Sequence, residues 1–204
     1  SAQGSYPPSV LHLFSMVLTD SHEKCIKKLE NVLSHSQKAQ KLVDAIEKLG
    51  CSIPPSFFLC RPCEGAAISG GFAVSSGDGA SYKPQIIICE DNKTAMERET
   101  FEHTLVHELV HAYDQCRAKI EWKNCLHHAC TEIRASSLSG ECALLHELYR
   151  GNTTIRGGQA ECVERRATKS VAMNPNCKDI AKDAVKAAFV TCRADKAPFD
   201  SLVD

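Results

Sequence analysis

The chain of 204 residues has no run approaching about 18 consecutive apolar residues, so nothing in it reads as a membrane-spanning helix. It also lacks an excess of charge of either sign. A formal charge of -1 and a pI near 6.7 provide no basic stripe of the kind nucleic acid binding requires. The first residues carry no signal-peptide pattern, and no internal repeat or low-complexity tract follows. The most apolar early stretch, VLHLFSMVL (10–18), is interrupted by a histidine and a serine. It is expected to pack on the body as an amphipathic segment, or to touch a membrane surface.

Cysteine and histidine, in contrast, are plentiful. Twelve cysteines exceed ordinary usage without reaching the density of a small disulfide scaffold. Cys60-Arg61-Pro62-Cys63 alone could be a redox pair or half a zinc site, but no second such spacing completes a ribbon and the rest are scattered. Most are therefore read as disulfides, which require an oxidising compartment. The alternative is buried free thiols acting as small hydrophobes. Pairing is not deducible from spacing.

Three of nine histidines fall in FEHTLVHELVHAYD (101–114). His103, His107 and His111 recur every four residues and share one face of a helix, while Leu105, Leu109, Ala112 and Cys116 recur on another. A helix over 100–117 follows. Within it His107-Glu108-Leu109-Val110-His111 has the H-E-x-x-H spacing, which lets two imidazoles grip one metal ion beside a carboxylate. The bland reading is a histidine-rich solvated face. A catalytic zinc takes a third protein ligand from another element. The segment NCLHHACTEIRASSLSGEC (124–142) predicts a second helix that places His128 and Glu132 on one face. Glu132 is the favoured third ligand; His128 is the alternative, with Glu132 then orienting it. Asp114 is expected to accept the spare N–H of a liganding histidine or to cap locally. His103 and His127 are surface or supporting residues, and Tyr113, Arg134, His146 and Tyr149 are candidates for stabilising an oxyanion.

Apolar spacing over 20–49, broken near SHSQ and stopped by Gly50, predicts two helices. Pro54-Pro55 ends that pattern, and 67–74 and 84–90 read as strands joined through glycine-rich chain. A hairpin or small sheet just before the metal helix would offer an edge for an extended peptide. After a break at 150–158, helical segments follow at 159–173 and 177–193, separated by Asn174-Pro175. The expected class is α+β, dominated by helices, in a single domain: an extension (1–19), a helical hairpin (20–50), a sheet with the catalytic helices (51–150) and C-terminal helices (151–204).

The strings HELVHAYD (107–114), HHACTEIRASSLSGEC (127–142), ISGGF (68–72) and NPNC (174–177) together carry a resemblance. They resemble the mitochondrial inner-membrane metalloprotease family that matures the precursor of the proton-channel subunit of ATP synthase and helps assemble its membrane sector. The likeness runs from about Cys25 to APFD (197–200), and SSGDGASYKP (75–84) looks like a longer loop than the family has there. The resemblance implies a zincin-like zinc peptidase in which His107 and His111 bind the metal and Glu108 is the catalytic glutamate. Glu132 as third ligand rests on spacing. It further implies a precursor polypeptide substrate and peripheral attachment to the inner membrane on the intermembrane-space side. Two competing roles remain at this stage: an assembly chaperone with zinc as a structural staple, and a binding adaptor.

Overall fold

The computed structural model describes residues 20–65, 68–76, 82–154 and 156–199. The apolar stretch at 10–18 and the middle of the 75–84 loop lie outside these residues. Two helices open the described chain, α1 (Asp20–His35) and α2 (Gln37–Lys48), as the spacing predicts. Ser36 divides them: its hydroxyl accepts from the Ala39 N–H at the start of α2. Their buried faces, Cys25, Leu29 and Val32 on one and Ala39, Leu42 and Ile46 on the other, join one hydrophobic cluster.

The sheet has three strands in the order β1-β3-β2, formed by β1 (Phe58–Arg61), β2 (Gly70–Ser76) and β3 (Tyr82–Cys89). β2 and β3 form the expected antiparallel pair, and β1 runs parallel to β3. β1 is absent from the sequence reading. Four residues behind a proline-bounded turn at Pro55–Phe57 are too short to show a period, and the strand is fixed by pairing with distant chain. Ile86 and Ile88 on β3 point into the first cluster, and among the described residues β2 keeps one edge without a partner strand.

α3 (Arg98–Ala118) crosses behind the sheet, and from Leu105 to Asp114 all but His107 are buried. Lys119 closes it in the left-handed region at φ 50°. α4 (Cys125–Leu138) begins at Asn124, whose side chain accepts from the Leu126 and His127 N–H groups. The single helix predicted over 124–142 is in fact shorter. Gly140, at φ 95°, turns the chain after Leu138, and a six-residue helix α5 (Leu144–Tyr149) follows. α6 (Gly158–Met173) and α7 (Ala181–Ala194) pack on α4 around a second hydrophobic cluster. α4 serves both, giving Ala135 and Leu138 to the first cluster and Ala129 and Ile133 to the second. The result is a helix-dominated α+β fold.

All twelve cysteines are paired. Cys25–Cys60, Cys51–Cys116 and Cys63–Cys89 lie within α1 to α3; Cys125–Cys177, Cys130–Cys192 and Cys142–Cys162 lie within α4 to α7. Cys60 and Cys63 therefore have different partners, which corrects the redox-pair alternative.

Candidate metal centre

One turn of α3 separates His107 from His111, and their rings stand 4.8 Å apart between centroids. Glu132 reaches them from α4. Its Oε2 lies 3.4 Å from His107 Nε2 and its Oε1 lies 3.5 Å from His111 Nε2. One ligating atom from each of the three residues falls within 4.8 Å of the others, so the group can hold a metal ion. Glu132 Oε2 is buried and has no hydrogen-bond partner among the described residues. A buried carboxylate oxygen left in that condition is costly unless a cation satisfies it, so the donor set fits a divalent ion.

Both imidazoles aim Nε2 inward because Nδ1 is engaged on the far side of each ring. His111 Nδ1 donates to Thr131 Oγ1 at 2.9 Å, and that hydroxyl donates to Asp114 Oδ2 at 2.9 Å. Arg134 and Arg117 then bond Asp114, each at 3.0 Å through Nε. Asp114 was expected to take the histidine N–H directly; the structure interposes the Thr131 hydroxyl. His107 Nδ1 is 3.3 Å from Glu141 Oε1. His128 sits behind Glu132, with Nε2 3.2 Å from Oε1. Because the Asn174 amide donates to His128 Nδ1 at 3.2 Å, Nε2 carries the proton that Glu132 accepts. The geometry places Glu132 against the two α3 histidines and His128 one layer further out.

The electrostatics follow from burial among fixed charges. Burial pushes His111 down to about 3, with His107 and His128 adding to the effect against Glu132, which keeps this ring neutral. For His107 burial acts downward too, but Glu141 and Glu132 outweigh it and lift the ring well above its ordinary value. Burial alone would raise Glu132; His111, His107 and His128 hold it well below the carboxylate range. Glu108, next along α3, is 7% exposed and lines the cleft. Its carboxyl is pushed up to about 7 by burial, opposed by His107 and by a hydrogen bond from the Phe72 backbone, with Glu132 and Glu141 pushing further.

The cleft in front of these groups has a volume of about 600 Å³. Gly70 of β2, Thr104, His107 and Glu108 of α3, and His146 and Tyr149 of α5 line it. Of the four oxyanion candidates, His146 and Tyr149 face the cleft. Arg134, 1% exposed, is turned inward onto Asp114 and Asp195, and Tyr113 packs in the first cluster. His103 lies edge-on to His146 at 4.6 Å in the cleft wall, and His127 is exposed and accepts from the Glu121 N–H. Three residues at the site were missed from sequence: Thr131, Glu141 and Trp122. The Trp122 ring stands 5.8 Å from His111 and 5.6 Å from His128, and its Nε1 donates to Gln115 Oε1 at 2.9 Å. A signal was present, since the only tryptophan lies in the connection between α3 and α4.

Two imidazoles and a carboxylate able to hold a metal, with a second carboxylate beside them in an open cleft, are the apparatus of a hydrolase. Residues 23–200 match the Peptidase M76 family, and the chain belongs to it. It is 38% identical over 181 residues to the mitochondrial inner membrane protease ATP23 of Yarrowia lipolytica, covering 87% of this chain and 68% of that protein. The protease of the same name from Schizosaccharomyces pombe is 37% identical over 183 residues, covering 88% of this chain and 93% of that protein. The Homo sapiens homolog is 35% identical over 192 residues, covering 93% of this chain and 74% of that protein. No solved structure is a significant match. No helix among the described residues is long and apolar enough to cross a membrane.

Proposed function

We propose that the chain is a zinc-dependent endopeptidase of zincin-like fold, in which His107, His111 and Glu132 hold the metal and Glu108 is the catalytic base. The supporting observation is the convergence of His107, His111 and Glu132, with Glu132 Oε2 buried, 3.4 Å from His107 Nε2 and without a hydrogen-bond partner among the described residues. A set of two imidazoles and one carboxylate suits zinc. When bound, zinc supplies a Lewis acid that makes water nucleophilic near neutral pH and polarises the scissile carbonyl. Glu108, adjacent to the ligands and open to the cleft, accepts the proton of the attacking water and delivers it to the leaving amine. Burial drives this carboxyl upward, and a bound cation beside it would hold it ionised, ready to act as base. His146 and Tyr149 line the same cleft and are the candidates for donating to the developing oxyanion.

Gly70 of β2 lies in the cleft wall, so an extended substrate can pair with the β2 edge that has no partner strand among the described residues and present its peptide bond to Glu108. The names of the relatives support a protein substrate, and the sequence resemblance supports a precursor of an ATP synthase membrane-sector subunit in that role. The names support the mitochondrial inner membrane as the location, and the resemblance supports peripheral attachment there, facing the intermembrane space. His128 supports hydrolysis over a structural staple, because its two ring nitrogens are taken by Glu132 and Asn174 and neither remains to close the metal shell.

The test compares the wild-type chain with Glu108→Gln in zinc content by elemental analysis and in cleavage of the precursor. The variant is expected to keep its zinc and lose cleavage by about 10²–10⁴-fold. Cleavage at the wild-type rate would remove Glu108 from the role of base.

A further inference from the structure

Glu141 stands in the loop between α4 and α5 and is 6% exposed, yet the reaction as described does not use it. Both of its carboxylate oxygens are committed. Oε1 lies 3.3 Å from His107 Nδ1, and Oε2 is paired with Arg166 Nη2 on α6. Its backbone carbonyl accepts from Arg150 Nη1 at 2.6 Å. The following residue, Cys142, is cross-linked to Cys162, one turn before Arg166 on the same helix. The carboxylate and the guanidinium that holds it are thus carried on two segments covalently fastened to each other. Desolvating a carboxylate is expensive, and it persists only with partners as complete as these.

We propose that Glu141 is a positioning residue for His107, with Arg166 and the Cys142–Cys162 disulfide holding its carboxylate in register. The inference rests on the zinc reading above. The bond to Glu141 fixes the proton of His107 on Nδ1, leaves the lone pair on Nε2 facing Glu132, and stops the ring from turning. Glu141 is not itself a ligand, because it meets the ring nitrogen on the side away from the cluster. Metal affinity is thereby coupled to oxidation of one particular cysteine pair.

The experiment uses the full chain as wild type, Glu141→Gln, Glu141→Asp, Arg166→Gln and the double variant Cys142→Ser/Cys162→Ser. Zinc dissociation constants are measured by competition with a chelating dye, the visible spectrum is recorded with cobalt(II) in place of zinc, and circular dichroism checks the fold. Glu141→Gln is expected to weaken zinc binding by about 10–100-fold and to shift the cobalt bands, as loss of a carboxylate partner to a liganding histidine does. Glu141→Asp recovers part of both, and Arg166→Gln and the cysteine pair weaken binding in the same direction. If Glu141→Gln does not fold, Arg166→Gln carries the test, since that side chain is 41% exposed. Wild-type affinity and an unshifted cobalt spectrum in Glu141→Gln and Arg166→Gln would overturn the proposal while leaving the zinc reading intact. A wild-type chain that takes up no zinc would overturn both.

Discussion

Two imidazoles one turn apart are driven in opposite directions, and the difference has a measurable result. His111 is held neutral, whereas in protein stripped of metal by a chelator His107 keeps a proton near neutral pH, because Glu141 and Glu132 lift it against burial. A metal takes the neutral ring, so uptake must expel that proton. Zinc titrations in buffers of different ionisation enthalpy should therefore reveal proton release at pH 7, chiefly from His107 with a share from Glu108. Because the folded value of His107 is raised, affinity should weaken as pH falls from above that value, by up to about tenfold per unit. Heats independent of the buffer would contradict this assignment. Asp114 provides a second case. It is 1% exposed and accepts from Thr131, Arg117 and Arg134. Asp114→Asn leaves the buried Arg134 without one of its two carboxylate partners and should cost about 3–5 kcal/mol in urea unfolding. Asp195, which also pairs with both arginines, should hold the loss near the lower figure.

Elements position these groups, and at Gly70 β2 lies close to both β3 and α3. A Cβ placed on Gly70 would come within 2.7 Å of the Ile87 carbonyl oxygen and 2.9 Å of Thr104 Cγ2. Gly70→Ala must push the strand away from the helix, at a cost of about 1–3 kcal/mol. The same shift moves Phe72, whose backbone bonds Glu108, so thermal unfolding should fall and KM for an extended substrate should rise. Helices with period and punctuation are legible in the sequence: Ser36, Gly50 and Asn174 mark boundaries by their own chemistry, and the four-residue spacing of His107 and His111 sets them on one face. Glu132 was reachable by the same rule applied to α4. β1, with no period of its own, was not. Neither was Glu141, which meets His107 only after Gly140 ends α4 and the chain turns back. Thr131 escaped for a related reason, since a hydroxyl relay between Asp114 and His111 requires the packing of two helices and leaves no spacing to read.

At the scale of the whole molecule, six cross-links tie together a chain built on two hydrophobic clusters. In the loop-closure account the Cys51–Cys116 bond, spanning 65 residues, restricts the unfolded chain more than Cys142–Cys162, spanning 20. Replacing the first pair by serine should lower unfolding free energy by about 1 kcal/mol more than replacing the second, in chemical denaturation under non-reducing conditions. The bonds have a further property in their distribution, three among α1 to α3 and three among α4 to α7. Apart from the backbone at 119–124, no covalent bond joins the part that carries His107 and His111 to the part that carries Glu132. A single proteolytic nick in that connection would therefore yield two separate bands on a denaturing gel run without reductant. Before denaturation, an ion shared by both fragments would add to the ties that Asp114 with Arg134 and the α4 residues of the first cluster already provide, and a chelator should loosen their association on a sizing column.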